Sequence, residues 1–185
     1  MWSKTQQLRS LGISKVAEHA GVQEYRLDAN GLRILLVENH SAPVFVHLIL
    51  FKVGGANEGA GQSGFAHLLE HLKYKGNNFD ETLNRFGADN NASTGLDVTD
   101  YHVISPSEHL ETVIKLEALR MRNLPFTDGD HSAEVKVVLD EIAKYKKDPD
   151  DALTDKLMAK AFKVHPYRIP VLGSPKDLKA STAQQ

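Results

Sequence analysis

A chain of 185 residues with 41% apolar and 25% charged side chains has the size and composition of one ordinary globular domain with a sizeable core. Its net charge of −2 excludes the basic footprint of a nucleic-acid-binding protein, and no apolar run approaches the roughly 20 residues of a membrane span. There is no cysteine, hence no disulfide and no thiolate zinc site, so any metal must be held by Asp, Glu or the nine histidines.

Residues 1–23 are weakly patterned and are expected to form a peripheral segment ahead of a domain over 24–185. EYRLD (24–28) and LRILLVE (32–38) are strand-like, and the Asn-Gly between them signals a hairpin turn. VFVHLILFKV (44–53) is long, β-branched and apolar, which predicts a central strand. A glycine-rich connection (54–64) leads into SGFAHLLEHLKYKG, where Ser63 can cap a helix with an apolar stripe of Phe65, Leu68, Leu69 and Leu72, closed by Gly76. FDETLNRFG gives a short helix. NNASTG and VTDYHVIS form a strand pair turning near Leu96-Asp97. Three helical stretches follow, PSEHLETVIKLEALRMRNL, DHSAEVKVVLDEIAKYKKD and DALTDKLMAKAF, and after a proline-rich loop DLKASTAQQ starts one more. Strands first, helices later and hairpin-like connections predict an α+β fold with a largely antiparallel sheet packed against several helices.

Two motifs compete within GAGQSGFAHLLEH (59–71). Gly59-x-Gly61-x-x-Gly64 has the glycine spacing of a dinucleotide-binding loop. That loop must follow its strand tightly and open the helix, with an acidic residue ending a parallel strand about 20 residues on. Here the strand ends near Val53, and Glu81 falls in a helical stretch. No G-K-[ST] is present, so a P-loop is excluded too, and the glycines are read as a flexible connection. His67-x-x-Glu70-His71 does fit its context. Residues four apart share a helix face, so the two imidazoles can converge on one ion while Glu70 flanks them within reach of a water there. A catalytic zinc site takes three protein ligands and leaves one position open, so one more ligand is needed from elsewhere. In EVKVVLDE, Glu134 and Glu141 are seven apart and share a face with Val138; carboxylates on a mostly apolar face are costly unless paired or metal-bound. Asp140 competes but points about 100° away from Glu141.

Together, GFAHLLEHLKYKG (64–76), NNASTGLDVTDYH (90–102), EVKVVLDE (134–141) and HPYRIPVLG (165–173) resemble, in order, the pitrilysin/insulysin family of zinc metallopeptidases, which includes the mitochondrial processing peptidases. The resemblance spans roughly Glu24 to the C-terminus. It implies a half-unit of a pitrilysin-like metallopeptidase with one Zn2+ per chain. His67, His71 and Glu141 are implied as ligands, Glu70 as general base and Glu134 as a carboxylate supporting a ligand. Asn91, Ala92, Ser93 and Thr94 are implied as an edge strand that takes an extended peptide by strand addition. The implied activity is a zinc-dependent endopeptidase cleaving oligopeptides or unfolded segments. The implied partner, besides the peptide or unfolded protein substrate, is a second pitrilysin-like domain or subunit, because the family's working unit pairs two such domains and only one is expected here, truncated at its C-terminal end; no nucleic-acid partner and no transmembrane segment are expected. A bacterial periplasmic location is preferred to an organelle. The alternatives are a non-catalytic peptide-binding or assembly subunit of the same fold and a closed structural zinc site. Two positions depart from the family pattern: Ser93 stands in place of a larger side chain, and Val135 in place of Arg.

The remaining candidates receive bland readings. His47 is expected to be a satisfied core or rim histidine. His19, His40, His109 and His131 are read as surface, and Lys73 and Lys75 as solvated. His102 is given no role, His165 is expected to pack or cap, and the acidic run at 148–151 is a loop and helix cap.

Overall fold

The computed structural model describes residues 4–74, 79–122 and 126–185. Gly76, Lys75 and the end of the expected helix at Leu124 therefore lie outside the described residues. The chain divides into two units, Met1–Pro43 and Val44–Gln185, each with its own three-stranded antiparallel sheet.

The first unit is a helix, α1 (Lys4–Ser10), followed by a meander of β1 (Ile13–His19), β2 (Val22–Leu27) and β3 (Arg33–Val37) in that order. The Asn-Gly turn forms as expected: Gly31 takes φ +75°, and the Asn30 side-chain oxygen accepts from the Leu32 amide. Strand β1 was not legible, because ISKVAEH lacks clean alternation; it is defined by its ladder with β2 across the tight Ala20-Gly21 turn, both residues at positive φ.

In the second unit β4 (Val44–Phe51), β5 (Asp89–Thr94) and β6 (Thr99–Pro106) are ordered β4-β6-β5. The expectation that 44–53 forms a central strand is thus corrected: among the described residues β6 is central and β4 is an edge. Its apolar run alternates, with Phe45, His47 and Ile49 half-buried and Val44, Val46, Leu48 and Leu50 exposed. On the covered face, α3 (Phe79–Arg85) and α4 (Leu110–Arg122) contribute Phe79, Leu83 and Val113 to a cluster with Val103 of β6. A second cluster joins α2 (Phe65–Lys73), α5 (Asp128–Tyr145) and α7 (Pro175–Ala180) through Leu68, Leu72, Val135, Val138, Ile142 and Leu178. Leu69, assigned to this stripe from the sequence, is exposed instead. Thr127 and Asp130 cap α5 reciprocally, and Asp148 caps α6 (Pro149–Ala161) by accepting from the amides of Asp150 and Asp151, as the acidic run suggests. The last expected helix starts earlier than DLKASTAQQ implies, because Ser174 caps it and Pro175 opens it, and it ends at Ala180. No described helix is long and apolar enough to cross a membrane.

Helix α2 starts differently from the expectation. Ser63 does not cap it: the N-cap is Gly64 at φ +97°, which has no side chain to offer. The capping acceptor is the carboxylate of Glu58, which receives the amides of Gly64 (2.8 Å) and Ala66 (2.7 Å). The opposite end of α2 is anchored in the interior. Arg120 is 4% exposed, paired through two nitrogens with Glu117, and stacked under Tyr74, Phe79 and Tyr101. Lys73, expected to be solvated, is buried over the Phe51 ring, and burial lowers its pKa.

Candidate metal centre

The apolar faces of α2 and α5 meet, and that contact sets their polar stripes on one cleft of about 880 Å3. Leu68 and Leu72 turn into the core, so His67 and His71, one position earlier in each turn, line the cleft. Val135, Val138 and Ile142 do the same for α5 and leave Glu134 and Glu141 facing it. Val135 is therefore a core contact and not a site residue.

His67, His71 and Glu141 form the one cluster of possible metal donors among the described residues. The two Nε2 atoms lie 3.3 Å apart, and Glu141 Oε2 is 3.5 Å from His71 Nε2 and 3.8 Å from His67 Nε2. Donors held tetrahedrally at about 2.0–2.1 Å from one Zn2+ are about 3.3–3.4 Å apart, so the set has the spacing of a small dication's ligands. Two imidazole nitrogens and one carboxylate also match zinc's preference in open sites.

Behind the centre, the His71 Nδ1–H donates to Glu134 Oε2 at 3.2 Å. A carboxylate accepts only a proton-bearing nitrogen, so neutral His71 keeps its lone pair on Nε2, toward the cluster. His67 has no such support: its Nδ1 is buried without a hydrogen-bond partner among the described residues. Burial also pushes its pKa down, against the pull of Glu141, which favours the neutral, ligating form.

Glu70 stands beside the three donors, half-buried, with one oxygen receiving the Thr94 hydroxyl at 2.5 Å. Burial raises its pKa, and the Thr94 hydrogen bond and His71 oppose that rise. Asn91, Ala92, Ser93 and Thr94 also line the cleft, on β5, which has no strand beyond it among the described residues. Their side chains alternate. Ala92 and Thr94 pair with Tyr101 and Thr99 on the helix-covered face, whereas Ser93 points away and donates to Asp100.

The other histidines divide. His165 caps the turn of Pro166–Arg168 and packs on Phe162 and Tyr167, as expected. His131 is buried and hydrogen-bonds Ser181, contrary to a surface reading; its place on the core face of α5 becomes evident only once α7 packs there. His47 is not satisfied: its buried Nδ1 has no partner among the described residues. Nothing in the sequence signals Glu58 or the bond from the Tyr167 hydroxyl to Asp97, which ties the 166–168 turn to the β5–β6 hairpin, because both contacts cross loops that carry no local motif.

The sequence model of the insulinase domain, peptidase family M16, matches residues 33–175. The zinc protease PqqE of Helicobacter pylori is 33% identical over 160 residues, which covers 81% of this chain and 36% of that protein. The crystal structure of a protease from H. pylori superposes with a TM-score of 0.83 at 30% identity, over 88% of this chain and 41% of that one. A domain of Pseudomonas fluorescens described as an inactive M16 peptidase domain shares the fold, with a TM-score of 0.80 at 23% identity over 89% of this chain and 41% of its own. The chain spans 36% to 40% of the length of the first four curated relatives it matches.

Proposed function

The chain belongs to the insulinase (peptidase M16) family, which has relatives named zinc proteases, and we propose that it hydrolyses peptide bonds in oligopeptides or unfolded segments using one Zn2+ per chain. The observation that carries this reading is the convergence of His67, His71 and Glu141 at ligand spacing, with Glu70 beside them and, in the same cleft, the β5 edge, unpaired among the described residues.

His67, His71 and Glu141 would hold the ion. When bound, it would supply Lewis acidity to the scissile carbonyl and acidify a water. Glu134 holds the His71 ring in the tautomer that ligates and raises its basicity. Glu70 takes the proton of the attacking water and passes it to the leaving amine, its carboxylate aimed by the Thr94 hydroxyl. Asn91–Thr94 hold the peptide extended through backbone hydrogen bonds, so selectivity for side chains should be modest. Because the chain spans well under half of its relatives, the working enzyme is expected to include a second pitrilysin-like domain or subunit.

A non-catalytic peptide-binding or assembly subunit is the second reading, since an M16 domain described as inactive shares this fold. A complete donor set with Glu70 in place favours the enzyme, and three donors with no fourth protein ligand among the described residues favour an open site over a closed structural one. Metal analysis together with cleavage of a quenched peptide by the protein with its partner domain tests the reading. Stoichiometric zinc with turnover supports it; stoichiometric zinc without turnover supports the binding subunit.

A further inference from the structure

We infer that Glu58 is a positioning residue for the metal centre: its carboxylate fixes the first turn of α2 and through it the place of His67. The inference rests on the zinc reading above. The two histidines are held differently. His71 is steered by Glu134, whereas the His67 Nδ1 has no hydrogen-bond partner among the described residues. The place of the His67 ring is therefore set by packing and by the backbone of the turn that carries it, where His67 is the third helical residue.

That turn cannot cap itself. A Cβ at Gly64 would stand 2.8 Å from the Leu172 carbonyl oxygen and 3.0 Å from the Gly173 Cα. A Cβ at Gly173 would in turn stand 2.3 Å from the Gly64 Cα. The helix start is thus wedged backbone to backbone against 172–174, with no room for a capping side chain at position 64. Glu58 supplies what is missing, one oxygen to the Gly64 amide and the other to the Ala66 amide, immediately before His67. The approach to the helix is held from the other side: the Ser63 amide donates to Asp177 Oδ2 at 3.2 Å, and the Ser63 carbonyl accepts from the Ser174 amide at 3.2 Å. Both Glu58 oxygens are used, so Glu58→Gln replaces one acceptor with an amide group that opposes a backbone N–H.

The test is zinc affinity of the full chain by competition with a chromophoric chelator, with the absorption spectrum of the Co2+-loaded protein as a second readout. Glu58→Gln is expected to weaken zinc binding about 10-fold, by analogy with other residues that orient ligands, and to shift the Co2+ bands. Val113→Ala, in the core of α4 away from the site, is the structural control, expected to lower Tm with affinity and spectrum unchanged. Wild-type affinity and spectrum in Glu58→Gln would overturn the inference and leave the zinc reading intact, whereas a wild-type chain that binds no zinc would overturn both. Should Glu58→Gln not fold, Glu58→Asp decides: it keeps the charge but is one methylene too short to bridge both amides. A smaller loss of affinity supports the inference, and no loss overturns it.

Discussion

At the scale of single residues, charge and burial decide what each group near the centre can do. Glu134 is 5% exposed, and its carboxylate meets His71 Nδ1 and not solvent. Glu134→Gln should keep the fold and weaken zinc binding about 10- to 100-fold, measured by chelator competition. His47 carries the opposite electrostatics. Burial lowers its pKa and outweighs Glu117, so the folded protein resists the proton that the unfolded chain accepts below about pH 6.5. Stability should therefore fall as pH drops below that value, and His47→Leu should flatten the fall, read by urea unfolding of metal-free protein between about pH 5 and 7. The pentad was legible because helical spacing is local. The state of His47 was not, because a missing hydrogen-bond partner is a property of the surroundings and leaves no mark on the strand's own pattern.

At the scale of elements, the site is a consequence of how α2 and α5 pack. Periodicity marks Leu68 and Leu72 of α2 and Val138 of α5, though it also marks Leu69, which is exposed; the buried positions fix which way the polar positions face. Leu178 of α7 is fully buried in that packing. Leu178→Ala should cost about 2–5 kcal/mol in unfolding free energy, measured by urea denaturation, and lower the Tm. The elements themselves were largely foreseen, including the β5–β6 hairpin and the caps of α6. What failed were readings that treat a segment alone. Ser63 has the chemistry of a cap, but the helix begins at Gly64, pressed against 172–174, and takes its cap from Glu58. The apolar run of β4 suggests a strand enclosed by neighbours, but among the described residues it pairs only with β6 and lies at an edge. Strand β1 exists through its partner β2 and is faint in its own sequence.

At the scale of the whole molecule, the α+β class and the antiparallel sheets followed from element order, and the cleft followed from one helix pair meeting one hairpin. In the proposed function this cleft is a catalytic centre in which Glu70 moves the proton and is not a ligand. The direct measurement pairs zinc content with cleavage of a quenched peptide for wild type and Glu70→Gln, each completed with its partner domain. The expected result is equal, stoichiometric zinc in both and a loss of kcat of about 10²- to 10⁴-fold in Glu70→Gln. Full activity in Glu70→Gln, with zinc retained, would rule out Glu70 as the general base.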